Sequence, residues 1–160
     1  KRVCFNLPGH AHELTFSWYK NRPFLEDDRT CQYLADAILR AKEINNFGLL
    51  AYVFMPDHVH LLIWPREEHY SISKILLSIK QPVSRREFIF CRKHNPEKLE
   101  NFFTGNKHAP YRFWQVGGGY DRNIISSGAM LNSINYIHNN PLRNKTVSAP
   151  KDWHWSSFAE

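Results

Sequence analysis

The sequence predicts a ferredoxin-like (RRM-like) α+β sandwich: an antiparallel sheet with helices packed on it and an extra C-terminal helix. Two observations predict it. Short apolar stretches that suit strands alternate with longer stretches at helical spacing, in the order β-α-β-β-α-β-α. No internal repeat or low-complexity segment breaks that order, and residues 1–160 read as one domain large enough to bury its own core.

Residues 12–19 (HELTFSWY) alternate as a first strand does. Asp28 or Thr30 is a suitable cap for a helix that aligns Cys31, Leu34, Ala35, Ile38 and Ala41 on one face and ends before Gly48. Residues 48–55 (GLLAYVFM) are almost continuously apolar, the pattern of a central strand covered on both faces. Pro56-Asp57 turns the chain into a strand at 58–64. These two strands or their neighbours are expected to be the inner ones. Ser71 or Ser73 opens a second helix with Ile72, Ile75, Leu76, Ile79 and Val83 at helical spacing. Pro82 removes a backbone donor and is expected to kink it. Residues 91–112 are polar, contain Pro and Gly, and predict a long loop. Residues 113–125 (FWQVGGGYDRNII) predict a fourth strand with a glycine-rich interruption, and Ser126 or Ser127 caps a third helix that stops near Asn140-Pro141.

Composition narrows the function classes. At 42% hydrophobic and 14% aromatic residues the chain is not a disordered one. Twenty-one Lys and Arg against 15 Asp and Glu give a net charge of +6, which favours a polyanionic partner over an acidic one and equally suits an ordinary basic protein. No apolar run approaches membrane-spanning length, so no membrane association is expected, and Lys1-Arg2-Val3-Cys4 shows no signal-peptide pattern. The three cysteines (Cys4, Cys31, Cys91) form no CxxC pair and predict neither a disulfide framework nor a Cys-rich zinc site, which fits a cytoplasmic protein.

Chemistry concentrates in two places. In Asp57-His58-Val59-His60 the two imidazoles stand at i and i+2 of a strand, so they share a face and leave room for one metal ion between them. Asp57 is expected on the other face, outside the ligand set. On the third helix, at about 100° per residue, Met130, Ile134 and Ile137 make the apolar stripe and Tyr136 lies roughly 120° from its centre. Asn140 follows one turn later on the same polar side, with Asn132 one turn earlier. An Asn carbonyl oxygen beside imidazoles suits Mg²⁺ or Mn²⁺, and a phenol oxygen close to such an ion is a potential nucleophile. Tyr120, after Gly117-Gly118-Gly119, is a rival nucleophile whose ordinary reading is a strand aromatic. His138 lies about 200° from Tyr136 around the helix and is poorly placed as its base. Arg85, Arg86, Arg92 and Lys93 cluster on the second helix, and Arg122, Arg143 and Lys145 flank the proposed site; each is a phosphate contact or a solvated side chain. Trp18, Tyr19, Trp153 and Trp155 stack on bases or pack in the core. His10 and His12 are expected before the first strand, and with His69, His94, His108 and His154 are taken for surface or loop residues.

The segments TFSWYKNRPFL (15–25), MPDHVHLLIWP (55–65), FWQVGGGYDRNI (113–124), NYIHNNPLRN (135–144) and DWHWSSF (152–158) together resemble the HUH single-tyrosine transposases of the insertion-sequence-200-like group, and most of all the REP-associated branch. The resemblance implies that His58 and His60 are the metal pair, Tyr136 the nucleophile, and Asn140 the residue that helps hold the metal where many relatives have Gln. It further implies a metal-dependent transposase or nickase that cleaves and rejoins single-stranded DNA beside hairpins through a 5′-phosphotyrosine, as a monomer or a homodimer. Two other readings stay open: a hairpin DNA- or RNA-binding protein that keeps the fold without turnover, and a structural zinc site, which the missing Cys ligands disfavour.

Overall fold

The computed structural model describes residues 5–21, 23 and 27–159; Cys4, Arg22, Phe24 and Leu25 fall outside them. Strands β1 (Ala11–Ser17), β2 (Phe47–Phe54), β3 (His58–Pro65) and β4 (Tyr120–Ile124) form one sheet in the order β2-β3-β1-β4. Every neighbouring pair is antiparallel. Helices α1 (Asp28–Ile44) and α2 (Ile72–His94) follow β1 and β3, and α3 (Ser127–His138) with the one-turn α4 (Asn140–Arg143) follows β4. This is the expected β-α-β-β-α-β-α sandwich, and no helix among the described residues is long and apolar enough to cross a membrane.

Strand periodicity sorts the side chains onto two unlike faces. Leu14 and Phe16 of β1, Trp18 just after it, and Val59, Leu61 and Ile63 of β3 join Leu34, Ile38, Ile75, Ile79 and Val83 in the main core under α1 and α2. The opposite face of β3 carries His58, His60 and Leu62, and Leu62 joins Ala11, Ala51, Val53, Ile124 and Ile137 in a smaller core under α3. The third helix therefore roofs the face from which the imidazoles project.

Several expectations are corrected. β2 is an edge strand, and the inner strands are β3 and β1. It reads as central because a bulge between Leu49 and Ala51 sends Phe47 and Leu49 into the main core but Ala51 and Val53 into the smaller one. The C-terminal segment also blocks part of its free edge: Phe54 N–H donates to Trp155 O (2.9 Å), Tyr52 N–H to Ser157 Oγ (2.8 Å) and Trp153 Nε1 to Phe54 O (2.9 Å). The α1 cap is Asp27 and not Asp28 or Thr30, while Ser71 and Ser126 cap α2 and α3 as expected; the three side chains accept from Arg29, Lys74 and Ala129 N–H. α2 runs unbroken through Pro82 to His94. Residues 91–112 are not a long loop. They finish α2, form a 3₁₀ turn at Pro96–Phe102 and bridge Phe103 to Tyr111, anchored by the buried Phe102.

The fourth strand is shorter than expected because the chain leaves the sheet between Trp114 and Tyr120. Trp114 pairs with Trp18, its ring stacked 3.9 Å from the Trp18 ring, and Gln115 N–H donates to Ser17 O at 2.9 Å. The chain re-enters through Gly119, whose φ of +80° and closeness to β1 both demand glycine: a Cβ there would lie 2.1 Å from Thr15 O. Gly119→Ala is therefore expected to lower unfolding free energy by about 2–4 kcal/mol, whereas Gly118→Ala, with nothing within 4 Å, should stay within about 0.5 kcal/mol of the parent in urea denaturation.

Candidate active site

The two imidazoles are held from behind and meet in front. His58 Nδ1 lies 2.6 Å from Asp57 Oδ1, and His60 Nδ1 lies 2.8 Å from Oγ1 of Thr15, its partner across the β1–β3 ladder. The inner nitrogens, His58 Nε2 and His60 Nε2, are 3.1 Å apart. With the Asp57 carboxylate accepting from His58 Nδ1–H and the Thr15 hydroxyl accepting from His60 Nδ1–H, both Nε2 lone pairs point at one spot. Two facing lone pairs call for a proton or a cation between them. Asn140 completes the group, its side-chain amide nitrogen 3.1 Å from His60 Nε2. Half a turn of that amide exchanges its nitrogen for its oxygen.

The donor set fits a small divalent ion. Two ligands at about 2.1 Å and at right angles are about 3.0 Å apart, close to the His58–His60 separation. Burial, and then the neighbouring His58, push the His60 pKa down to about 4, with Asp57 acting in the opposite sense. The neutral ring is the ligating form. Among the described residues no three His, Cys, Asp or Glu side chains gather as they would around a structural zinc.

Tyr136 arrives from the other side. Ile137 is buried under α3, with Met130 and Ile134 packed beside it, so the apolar stripe faces the sheet as the helical spacing requires. Tyr136 sits at the rim, 39% exposed, its ring edge-on to His60 with centroids 5.5 Å apart. Asn140 does not stand beside it on the polar surface. α3 ends at His138, α4 begins at Asn140 with Pro141 in its first turn, and the break turns Asn140 inward, where it is 5% exposed. His138 points elsewhere, to Ser157 Oγ at 2.9 Å.

Glu13, Thr15, His60, Tyr120, Arg122 and Tyr136 line an open cleft of about 550 Å³. Arg122 is fixed in it by Glu13 (2.5 Å) and Ser133 (2.9 Å), while Arg143 lies over the Tyr136 ring at 5.0 Å. Tyr120 enters the cleft from β4, opposite Thr15 in the ladder. Arg85 and Arg86 belong to α2, across the sheet from the imidazoles, and Arg86 is engaged by Asp36 (2.8 Å) and by the Tyr33 ring (3.8 Å). Trp18 is buried, Trp155 stacks on Phe54 and Trp153 bonds to Phe54 O, so these three pack rather than display their rings. His12 is a further correction. It is fully buried in β1, between Asp121 Oδ1 and Tyr70 Oη at 2.8 Å each.

Asp57, Thr15 and Glu13 are the site residues that sequence reading missed. Asp57 was visible as the neighbour of His58. Thr15 and Glu13 needed the strand register, which one sequence does not specify.

A family model of IS200-like transposases matches residues 9–140, from just before β1 to Asn140. The chain belongs to the IS200-like transposase family. A Haemophilus influenzae (strain Rd KW20) protein assigned as a REP-associated tyrosine transposase is 28% identical over 138 residues, covering 82% of this chain and 74% of the relative. The solved structure of a REP-associated tyrosine transposase bound to a REP hairpin superimposes with a TM-score of 0.77 at 21% identity, over 99% of this chain and 82% of the other. A Deinococcus radiodurans R1 protein assigned as a transposase shares the fold more distantly, with a TM-score of 0.51 at 18% identity over 87% of this chain and 97% of its own.

The His60 environment predicts a loss of stability towards acid pH. Folded His60 stays neutral down to about pH 4, whereas an unfolded imidazole takes up a proton below about pH 6.5. In metal-free buffer, stability is expected to fall by roughly 1.4 kcal/mol per pH unit from pH 6.5 towards pH 4. A His60→Gln variant should lack that part of the slope in urea titrations across the window.

Proposed function

We propose that this transposase cleaves and rejoins single-stranded DNA beside a hairpin, with Tyr136 as nucleophile and with Mg²⁺ or Mn²⁺ held by His58, His60 and Asn140. One observation carries the reading: the Tyr136 ring stands 5.5 Å from that of His60, whose Nε2 also meets His58 and Asn140, at the edge of an open cleft. Nucleophile and ligand trio share one site within one chain, so a single copy suffices for the chemistry. The hairpin carried by the related solved structure supports this choice of substrate.

Each side chain has a separate task. Tyr136 Oη loses its proton to solvent and attacks phosphorus; an O–P bond to the phenol forms as the P–O3′ bond breaks, and the departing O3′ takes a proton to become a hydroxyl. The product is a 5′-phosphotyrosine. Because one phosphodiester replaces another, a second 3′-OH reverses the step and joins strands without a nucleotide cofactor. When bound, the divalent ion offsets the charge of the scissile phosphate and orients it. Arg122, fixed by Glu13 and Ser133, presents its guanidinium to a phosphate oxygen without having to be ordered first. Asp57 and Thr15 keep both rings turned with Nε2 forward.

The test is incubation with single-stranded hairpin oligonucleotides and Mg²⁺ or Mn²⁺, read on a denaturing gel. Wild type and Tyr120→Phe are expected to form the covalent adduct, and Tyr136→Phe to form none while binding the hairpin within about twofold of wild type. An adduct on Tyr136→Phe would transfer the role to Tyr120; binding without any adduct would favour a hairpin-binding protein. Asp57→Asn, which removes only the carboxylate behind His58, should weaken Mn²⁺ binding by about 10- to 100-fold in calorimetry.

A further inference from the structure

Lys80 is a half-buried cation without an anionic partner. It rises from α2 beside the end of β1, its Nζ 5.5 Å from the Phe16 ring and 5.7 Å from the Trp114 ring. Its hydrogen bond is to Gly117 O, at 3.3 Å, and among the described residues no carboxylate pairs with it. Two other cations under the sheet are matched: Arg29 by Asp27 and Glu87, and Arg86 by Asp36. The backbone beneath Lys80 is fixed as well, since Trp114 Nε1 donates to Lys80 O at 2.8 Å. Burial lowers its pKa from the usual lysine value, the direction expected of an ammonium partly stripped of water and without a carboxylate beside it.

The ammonium faces a hollow of about 220 Å³ that also includes Gln115, Val116, Gly117 and Gly119. Thr15 and Tyr120 line both this hollow and the Tyr136 cleft, so the two adjoin, with Tyr120 as the wall between them. Tyr120 is 40% exposed, and Val116 beyond it is 67% exposed. No atom lies within 4 Å of where a side chain would start at Gly117 or Gly118, so the approach is open. A cation lacking an anion, an aromatic wall and an open mouth together describe a place for one nucleotide.

We propose that this hollow holds a nucleotide of the single strand next to the scissile phosphate, with its backbone phosphate on the Lys80 ammonium and its base against Tyr120. The inference rests on reading the Tyr136 cleft as a DNA site and adds a second point of attachment to it. A phosphodiester supplies the acceptors that Lys80 lacks. The aromatic floor of Phe16 and Trp114 holds the ammonium in place while it waits. A strand engaged here and in the cleft is fixed at two consecutive positions, which sets the bond presented to Tyr136.

The experiment is fluorescence anisotropy on a hairpin with an oligo-dT flank of about ten nucleotides on each side, against the same hairpin with blunt ends. Lys80→Met keeps the apolar stem over Phe16 and Trp114 and removes the charge; Lys80→Arg retains the charge. Lys80→Met should bind the flanked hairpin about tenfold more weakly, with its log–log salt slope reduced by about one, and bind the blunt hairpin unchanged. Lys80→Arg should remain near wild type. A neutral methylphosphonate moved along the flank should cost wild type about tenfold at one linkage and Lys80→Met nothing. Should the Met variant not fold, Lys80→Gln takes its place in both measurements. Equal affinity and slope for wild type and Lys80→Met, equal binding of flanked and blunt hairpins by wild type, or a wild type insensitive to methylphosphonate at every flanking linkage would overturn the subsite. Tyr136-dependent cleavage with Lys80-independent binding removes the subsite and spares the proposed chemistry. Lys80-dependent binding without an adduct does the reverse.

Discussion

The pairing of β1 with β3 is the constraint on which the rest of the molecule depends. It sets Thr15 opposite His60 and Phe16 opposite Val59, so the same ladder steadies an imidazole on one face and fills the main core on the other. A slip of one residue would exchange the faces, placing Leu14 or Phe16 behind His60 and a Thr and a Glu in the core. Several contacts hold the register. Trp18 N–H donates to Asp57 O at 3.3 Å, tying the end of β1 to the residue before His58, and Trp18 is buried and stacked on Trp114. Gly119 lets β4 close onto the far side of β1, within reach of Thr15 O. Stacked and edge-on rings of Phe16, Trp18, Phe113 and Trp114 thus pack at the end of the sheet where the site lies.

The two faces of the sheet divide the work. Beneath it, α1 and α2 bury an apolar core in which the buried carboxylate is paired: Glu87 is 1% exposed and accepts from Thr30 Oγ1 at 2.6 Å while facing Arg29. Above it, α3 covers only part of the surface through Met130, Ile134 and Ile137. Beside the covered part lie the imidazole pair, Glu13 and Arg122, around the open cleft. A sheet with one fully roofed face and one partly roofed face provides a rigid base and an open cleft together.

Much of this was legible in the chain because the signals were local. The His-x-His spacing in a strand fixes a shared face regardless of what lies around it, and the stripe of Met130, Ile134 and Ile137 fixes which side of α3 meets the sheet. The segments that failed depended on distant partners. β2 read as a central strand because its bulge and the C-terminal segment covering its edge leave few polar positions. His12 read as a surface residue because the Asp121 and Tyr70 that satisfy it lie 109 and 58 positions away. Arg86 read as a free cation because its neutralising Asp36 lies 50 positions away in α1. Spacing within one element survives such ignorance; pairing between elements does not.

The least local feature is also the one that completes the site. Had α3 continued, Asn140 would have followed Tyr136 at about 40° around the same exposed surface, and its short side chain would have stopped well away from the imidazoles. Pro141 prevents that continuation, because it has no N–H to give and its ring clashes with the preceding turn. The chain bends at Asn139, and Asn140 drops to His60 Nε2 while Asn144, in the turn that follows, donates to its oxygen at 3.4 Å. A longer amide on an unbroken helix could cover the same distance with an extra methylene. Here the backbone covers it, at the cost of a helix end that must be satisfied by Asn139 N–H on Asn135 O and its side chain on the same carbonyl. Asn-Asn-Pro is therefore a geometric device: Asn139 closes one helix, Asn140 and Pro141 open the next, and Asn140 is delivered to the imidazole pair on a side chain too short to wander.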